Sequence, residues 1–164
     1  MQINMKRMIL VAAALLCALA VSAQDGKNIY NKYSEADNVS AVYISPAMFR
    51  LMGKIPDMDF GQGDVNISEI IKSMNGLYIL SSENASINKE LRRDAEKFVN
   101  SGKYELLMEM KDDGEVCHVY TMGDEKTIKG FVLISIDGDE CNFICMDGDM
   151  PRDKFEEIIS QSFV

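Results

Sequence analysis

The sequence contains no tryptophan, a single histidine and only three prolines. One histidine rules out the multi-histidine ligand sets of most zinc sites. It leaves His118 as the sole imidazole for a hydrolytic triad, and no Gly-x-Ser-x-Gly elbow accompanies it. Cys117 precedes His118 in a segment that reads as a strand. Strand neighbours point to opposite faces, so that thiol and imidazole cannot pair. Basic residues are also scarce: 17 Lys and Arg face 26 Asp and Glu, a net charge of −9. Such a field repels nucleic acid and anionic lipid, and no nucleic-acid partner is expected. Long apolar runs are missing too. The longest, Met8 to Val21, falls short of the ~20 residues a spanning helix needs. No catalytic residue, metal or cofactor is assigned.

That apolar run has another reading. Lys6 and Arg7 precede "MILVAAALLCALAV", and "SAQ" follows. A basic region, an apolar core and small residues make a secretory signal peptide. Residues 1–23 are expected to be removed after Ala23, leaving one domain at 24–164 with no transmembrane helix. The protein is thus expected in the periplasm or cell envelope. Lipid anchoring at Cys17 is disfavoured, because Leu16 is large where a small residue should precede a lipidated cysteine. Processing removes two basic residues and no acidic ones, so 15 face 26 and the net charge becomes −11.

Along the mature chain, "GKNIYNKYSEAD" puts Ile29, Tyr30 and Tyr33 on one helical face. "VSAVYIS" reads as a strand, and Ser45-Pro46 caps a short helix, Ala47 to Met52. Lys54 to Asp64 reads as a loop. Asn66 to Glu69 opens a helix with an Ile67, Ile70, Ile71, Met74 stripe, which Asn75-Gly76 should stop. Leu77–Leu80 is a strand. Ser86 can cap a helix from Ile87 to Ser101, with Ile87, Leu91, Ala95, Phe98 and Val99 inward. Then the pattern changes. Tyr104–Lys111, Glu115–Met122, Thr127–Ile136 and Glu140–Met146 are strands separated by short Gly/Asp turns. Pro151 opens a last helix. The expected fold is α+β, in two layers. A mixed sheet with early parallel crossovers ends in a four-stranded antiparallel meander, with helices mainly on one face.

The segments "NVSAVYISPAMFRLM", "GLYILSSENASI" and "GKYELLMEMKDDGEVCHVY" and the closing "MDGDMPRDKFEEII" carry a resemblance. Together with the signal peptide they resemble a family of small exported bacterial proteins, found mainly in Bacteroidetes, described as domain of unknown function 4252. The resemblance covers essentially the whole mature chain. It implies an exported bacterial protein with one compact domain. It implies no activity and carries over no functional residue.

Turn chemistry sets an expected register. Asp113-Gly114 as a two-residue loop places Met110 opposite Cys117, Met108 opposite Val119 and Leu106 opposite Thr121. Gly138-Asp139 places Ile136, Ile134 and Val132 opposite Cys141, Phe143 and Cys145. A four-residue loop at 123–126 places Cys117 beside Val132. One face, Leu106 to Cys145, is then nearly all apolar and is expected under the helices. Cys141 and Cys145 lie ~13 Å apart along one strand, beyond the ~7 Å a disulfide spans. Cys117 and Cys145 are ~9.6 Å apart across two strands. All three cysteines are therefore expected as buried free thiols.

The first and third hairpin turns gather Asp112, Asp113, Glu115, Asp137, Asp139 and Glu140 on one rim. An EF-hand loop counted from Asp137 fails, having Asn142 at its sixth position and Gly148 at its twelfth. Solvated turn chemistry explains these aspartates. The opposite face should carry His118, Tyr120, Phe131, Leu133, Ile144 and Met146, an apolar patch with a polar rim that suggests binding. Its occupant is left open. The leading helix or the Ile55–Phe60 loop could cover it, or a protein, an envelope component, a second copy in a homodimer, or a small ligand could dock. The favoured function is a non-catalytic exported binding module. The alternative is a cation-binding protein or hydrolase using the acidic rim or His118.

Overall fold

Among the described residues six strands and five helices follow one another, the last four strands in succession, and the turns between these later strands set how they pair. The computed structural model describes residues 25–53 and 68–162. The signal peptide, its cleavage after Ala23, Cys17, the 54–64 loop and the Asn66 cap lie outside the described residues. The elements are α1 (Gly26–Tyr33), β1 (Val39–Ile44), α2 (Pro46–Met52), α3 (Ser68–Ser73), β2 (Met74–Ser82), α4 (Ala85–Ser101), β3 (Glu105–Asp112), β4 (Glu115–Gly123), β5 (Thr127–Asp137), β6 (Glu140–Pro151) and α5 (Arg152–Ser162). The strands form one sheet in the order β1-β2-β6-β5-β4-β3. The fold is α+β, with the expected meander from β3 to β6.

The sheet is antiparallel throughout rather than mixed. β1 pairs with β2 from Val39↔Ser82 to Ile44↔Leu77. The α2 and α3 helices pack together against the sheet end where β1 leaves and β2 enters, beside Ile44 and Leu77. β2 therefore runs antiparallel to β1, and no parallel pair arises among the described strands.

Helices cover both faces, not mainly one. On the first face, α1 and α4 bring Ile29, Tyr33, Leu91, Ala95 and Phe98 onto Tyr78, Leu80, Val132, Ile134, Cys141, Phe143 and Cys145. Gly26 touches this sheet closely: a methyl group there would overlap the Cys145 sulfur. On the second face, α2, α3 and α5 bring Phe49, Ile70 and Phe155 onto Met74, Ile128 and Met150, with Ile44, Leu77, Phe131 and Met146 at the margin.

Local chemistry places the helices. The Asp25 carboxylate accepts from the Asn28 N–H (2.8 Å) to cap α1, and Ser45 caps α2 with Pro46 next, as expected. Asn84, not Ser86, caps α4 by accepting from the Ser86 and Ile87 N–H groups. α3 stops at Ser73, and Met74 already belongs to β2. Pro151 ends β6, and α5 begins one residue later.

Two hairpins keep the expected register. Met110 faces Cys117 and Met108 faces Val119. Ile136, Ile134 and Val132 face Cys141, Phe143 and Cys145. The turn residues Asp113, Gly114 and Gly138 all have positive φ, as two-residue hairpin loops require. The β4–β5 register differs. Cys117 pairs with Ser135 and Tyr120 with Val132, not Cys117 with Val132. The Asp124 carboxylate accepts from the N–H groups of Lys126 and Thr127, which tightens the turn, and the pairing shifts between Met122 and Gly123. The slip spans an odd number of residues, so it turns every β4 side chain to the other face. The β3–β4 pairing also shifts between Leu106 and Met108, so Leu106 meets Tyr120 rather than Thr121.

Candidate functional site

The second face changes character in bands from one end of the sheet to the other. The lowest row runs Ile44, Leu77, Met146, Phe131, Thr121. It lies against α2, α3 and α5, and Phe131 meets Phe155 with ring centroids 5.7 Å apart. The next row is Val42, Ile79, Ile144, Leu133, Val119, Met108. Val119 is buried, while Val42 is 48% exposed at the edge; Ile79, Ile144 and Leu133 are half-buried. Above it runs a mostly neutral polar row, Ser40, Ser81, Asn142, Ser135, Cys117, Met110. The hairpin ends form the last band, where Asp112 pairs with Glu115 and Asp137 with Glu140.

The upper bands enclose a groove of about 430 Å³. Met110, Cys117 and Leu133 floor it, Ser135 and Asn142 cross it, and Asp112, Glu115, Asp137 and Glu140 edge it. Among the described residues its lining includes no Lys, Arg or His. Glu140 is held in place by the Ser81 hydroxyl, which donates to it at 3.0 Å. Met110 is 53% exposed, a large apolar side chain left facing solvent beside carboxylates. Such a groove can bind an apolar group against its floor and a basic one at its margin. Among the described residues no three His, Cys, Asp or Glu side chains converge as metal ligands.

The expected binding residues are divided by the register. Phe131, Leu133, Ile144 and Met146 share the second face, paired as Phe131↔Met146 and Leu133↔Ile144. Only Leu133 and Ile144 lie above the helices. His118 and Tyr120 sit on the first face, opposite Ile134 and Val132, because β4 is turned over. The His118 ring meets the Glu109 carboxylate at 2.8 Å. Glu109 is held below the usual carboxylate range by hydrogen bonds from Lys111 and then His118. Cys117, expected in the core, lines the groove instead. Met108 and Met110 come with it to the second face. Sequence reasoning placed these three under the helices because it took a β4–β5 register three residues away from the one observed.

A family model with the description domain of unknown function (DUF4252) matches residues 33–158. The chain belongs to the DUF4252 family. No curated protein and no solved structure matches it.

In this DUF4252 chain the groups removed from the groove are engaged in structure. Asp94, on the inner side of α4, accepts from Tyr33 Oη (2.7 Å) and Lys32 Nζ (2.5 Å) of α1. Burial pushes the Asp94 carboxyl up, but the bonds from Lys32 and Tyr33 outweigh it and hold it below its usual range. Sequence reading missed Asp94, though it lies three residues after Leu91 on the inward stripe. Among the described residues the three cysteines are free thiols. Burial pushes Cys141 up to about 11 and Cys145 higher still, which keeps both protonated and inert. Burial also raises Cys117, the half-buried one. No described helix is long and apolar enough to cross a membrane.

Proposed function

We propose that the protein is an exported, non-catalytic cell-envelope protein that binds a partner through the uncovered end of the second sheet face. One observation carries this reading. Among the described residues, three helices bury the lower end of that face, and the same face continues upward as an open groove with an apolar floor and an acidic margin. Uncovered apolar surface rimmed by polar groups marks interaction sites. The gradient also says what kind of partner fits: apolar groups over Leu133 and Ile144, neutral hydrogen-bonding groups over Ser135 and Asn142, and basic groups at the rim. The favoured partner is thus an amphipathic, basic segment of a protein or envelope component.

Site-specific photo-crosslinking in the host envelope tests this. A photoreactive residue at Met110 or Leu133 is expected to give a discrete adduct that Asp112→Asn with Asp137→Asn weakens. The same residue at Lys97, exposed on α4, should give none. Equal labelling from both faces, or none from Met110 and Leu133, sinks the reading. Fractionation of the host decides export separately: recovery only with the cytoplasm overturns it.

A further inference from the structure

The two edges of the sheet differ in a way that concerns neither the groove nor its partner. An edge strand exposes unpaired backbone groups and is normally protected by charge, proline or a bulge. β3, at one edge, is protected. It carries Glu105, Glu109, Lys111 and Asp112, and its pairing is irregular between Leu106 and Met108. β1, at the other edge, is not. "VSAVYI" has no charge and no proline, and its pairing with β2 is regular along its whole length.

We infer that β1 is the interface for a second copy of this chain, joined edge to edge about a twofold axis into one continuous antiparallel sheet. The hydrogen-bond phase supports this. The Glu83 N–H donates to the Asn38 carbonyl at 3.1 Å. In an antiparallel pair such bonding recurs at every second residue. Ser40, Val42 and Ile44 therefore bond to β2, and the N–H and C=O groups of Val39, Ala41 and Tyr43 point outward. Two copies meeting at Ala41 pair Ala41 with Ala41 and Val39 with Tyr43, and every such pair can exchange both bonds. Side chains then match on each side: Tyr43 lies beside Val39, and Val42 beside Ser40. No charge on either strand is brought opposite another, which matters in a chain with net charge −9. The apolar side chains around this edge are underburied. Val42 is 48% exposed, Tyr43 43%, and Met48 and Leu51 on the following α2 are 46% and 57% exposed. On the first face Tyr43 stacks on Tyr78 at 5.1 Å, with Tyr30 6.0 Å from Tyr43, so the edge is stiffened by aromatic rings. Closed twofold pairing also uses up both exposed β1 edges, leaving only the charged β3 edges outside.

Sedimentation velocity over a concentration series on the purified protein tests this, together with two substitutions. Ala41→Pro removes an outward N–H and costs no bond to β2, so the fold should persist by circular dichroism while the dimer dissociates at least tenfold more readily. Ala41→Cys should give a disulfide-linked dimer under mild oxidation, since directly opposed Cα atoms lie ~5.5 Å apart in a hydrogen-bonded pair. Unsubstituted protein, whose described thiols are buried or half-buried, supplies the background. A protein monomeric at every concentration with no crosslink above that background overturns the inference. So does a dimer that Ala41→Pro leaves intact.

Discussion

The two faces of the sheet come from the same strands and the same alternation, yet among the described residues their central strands are covered to different extents. On the first face α1 and α4 lie along the meander, and Leu80, Phe143, Val132 and Cys145 are fully buried. On the second, α2, α3 and α5 are short or gathered at one end, and burial gives way to an open groove. Alternation makes a strand amphipathic; the helices supplied by the rest of the chain decide which of its faces becomes core. A face left partly bare therefore need not differ in sequence from a buried one.

Substitutions on the two faces should separate them. The largest effect is expected at Phe143, fully buried on the first face. Phe143→Ala should cost ~3–5 kcal/mol in urea unfolding. A cost below about 1 kcal/mol would mean the first face is not the core.

Asp94→Asn should come next, at about 1–3 kcal/mol near neutral pH, because a buried group loses charge-assisted bonds. Its pH dependence has a definite sign. The folded carboxyl titrates below its ordinary value of 3.8. Its stabilisation is therefore present above that value and lost as the pH falls through the folded pKa. Unfolding curves of variant and parent should converge under acid; a gap that persists there would show a packing defect instead.

On the second face, Leu133→Glu should change stability by less than ~1 kcal/mol, since the side chain lines an open groove. Full unfolding by this substitution would place Leu133 in a closed core and remove the binding surface. The smallest effect is expected beneath α1, where burial, then the nearby Asp25 charge, raises the Asp147 carboxyl above its usual value. A raised carboxyl favours the folded state below the unfolded pKa, and that contribution is lost as the pH rises through the folded one. Asp147→Asn should thus raise the melting midpoint slightly at pH 7, with the gain vanishing toward pH 4. A lower midpoint at pH 7 would show that the carboxylate is needed.

The elements were legible where local rules act alone. Ser45-Pro46, Asp113-Gly114 and Gly138-Asp139 each carry their own turn or cap chemistry, and the hairpins they close have the expected pairings. Part of the candidate site was legible for the same reason: Leu133 lines the groove and its face follows from the β5–β6 turn. The rest was not. The 123–126 turn is closed by the Asp124 carboxylate binding two N–H groups, and a register shift sits beside it. That slip exchanged His118 and Tyr120 for Cys117 and Val119 on the second face.

The sequence by itself determined where strands, helices and tight turns lie, because propensity, caps and positive-φ residues act over a few positions. It also determined the acidic rim, since turn aspartates follow the turns. Tertiary structure decided the rest: which face of β4 looks which way, that β1 and β2 run antiparallel, and where the helices stop covering the sheet. Those depend on packing between residues far apart in the chain, where one odd slip inverts a strand without breaking any local rule.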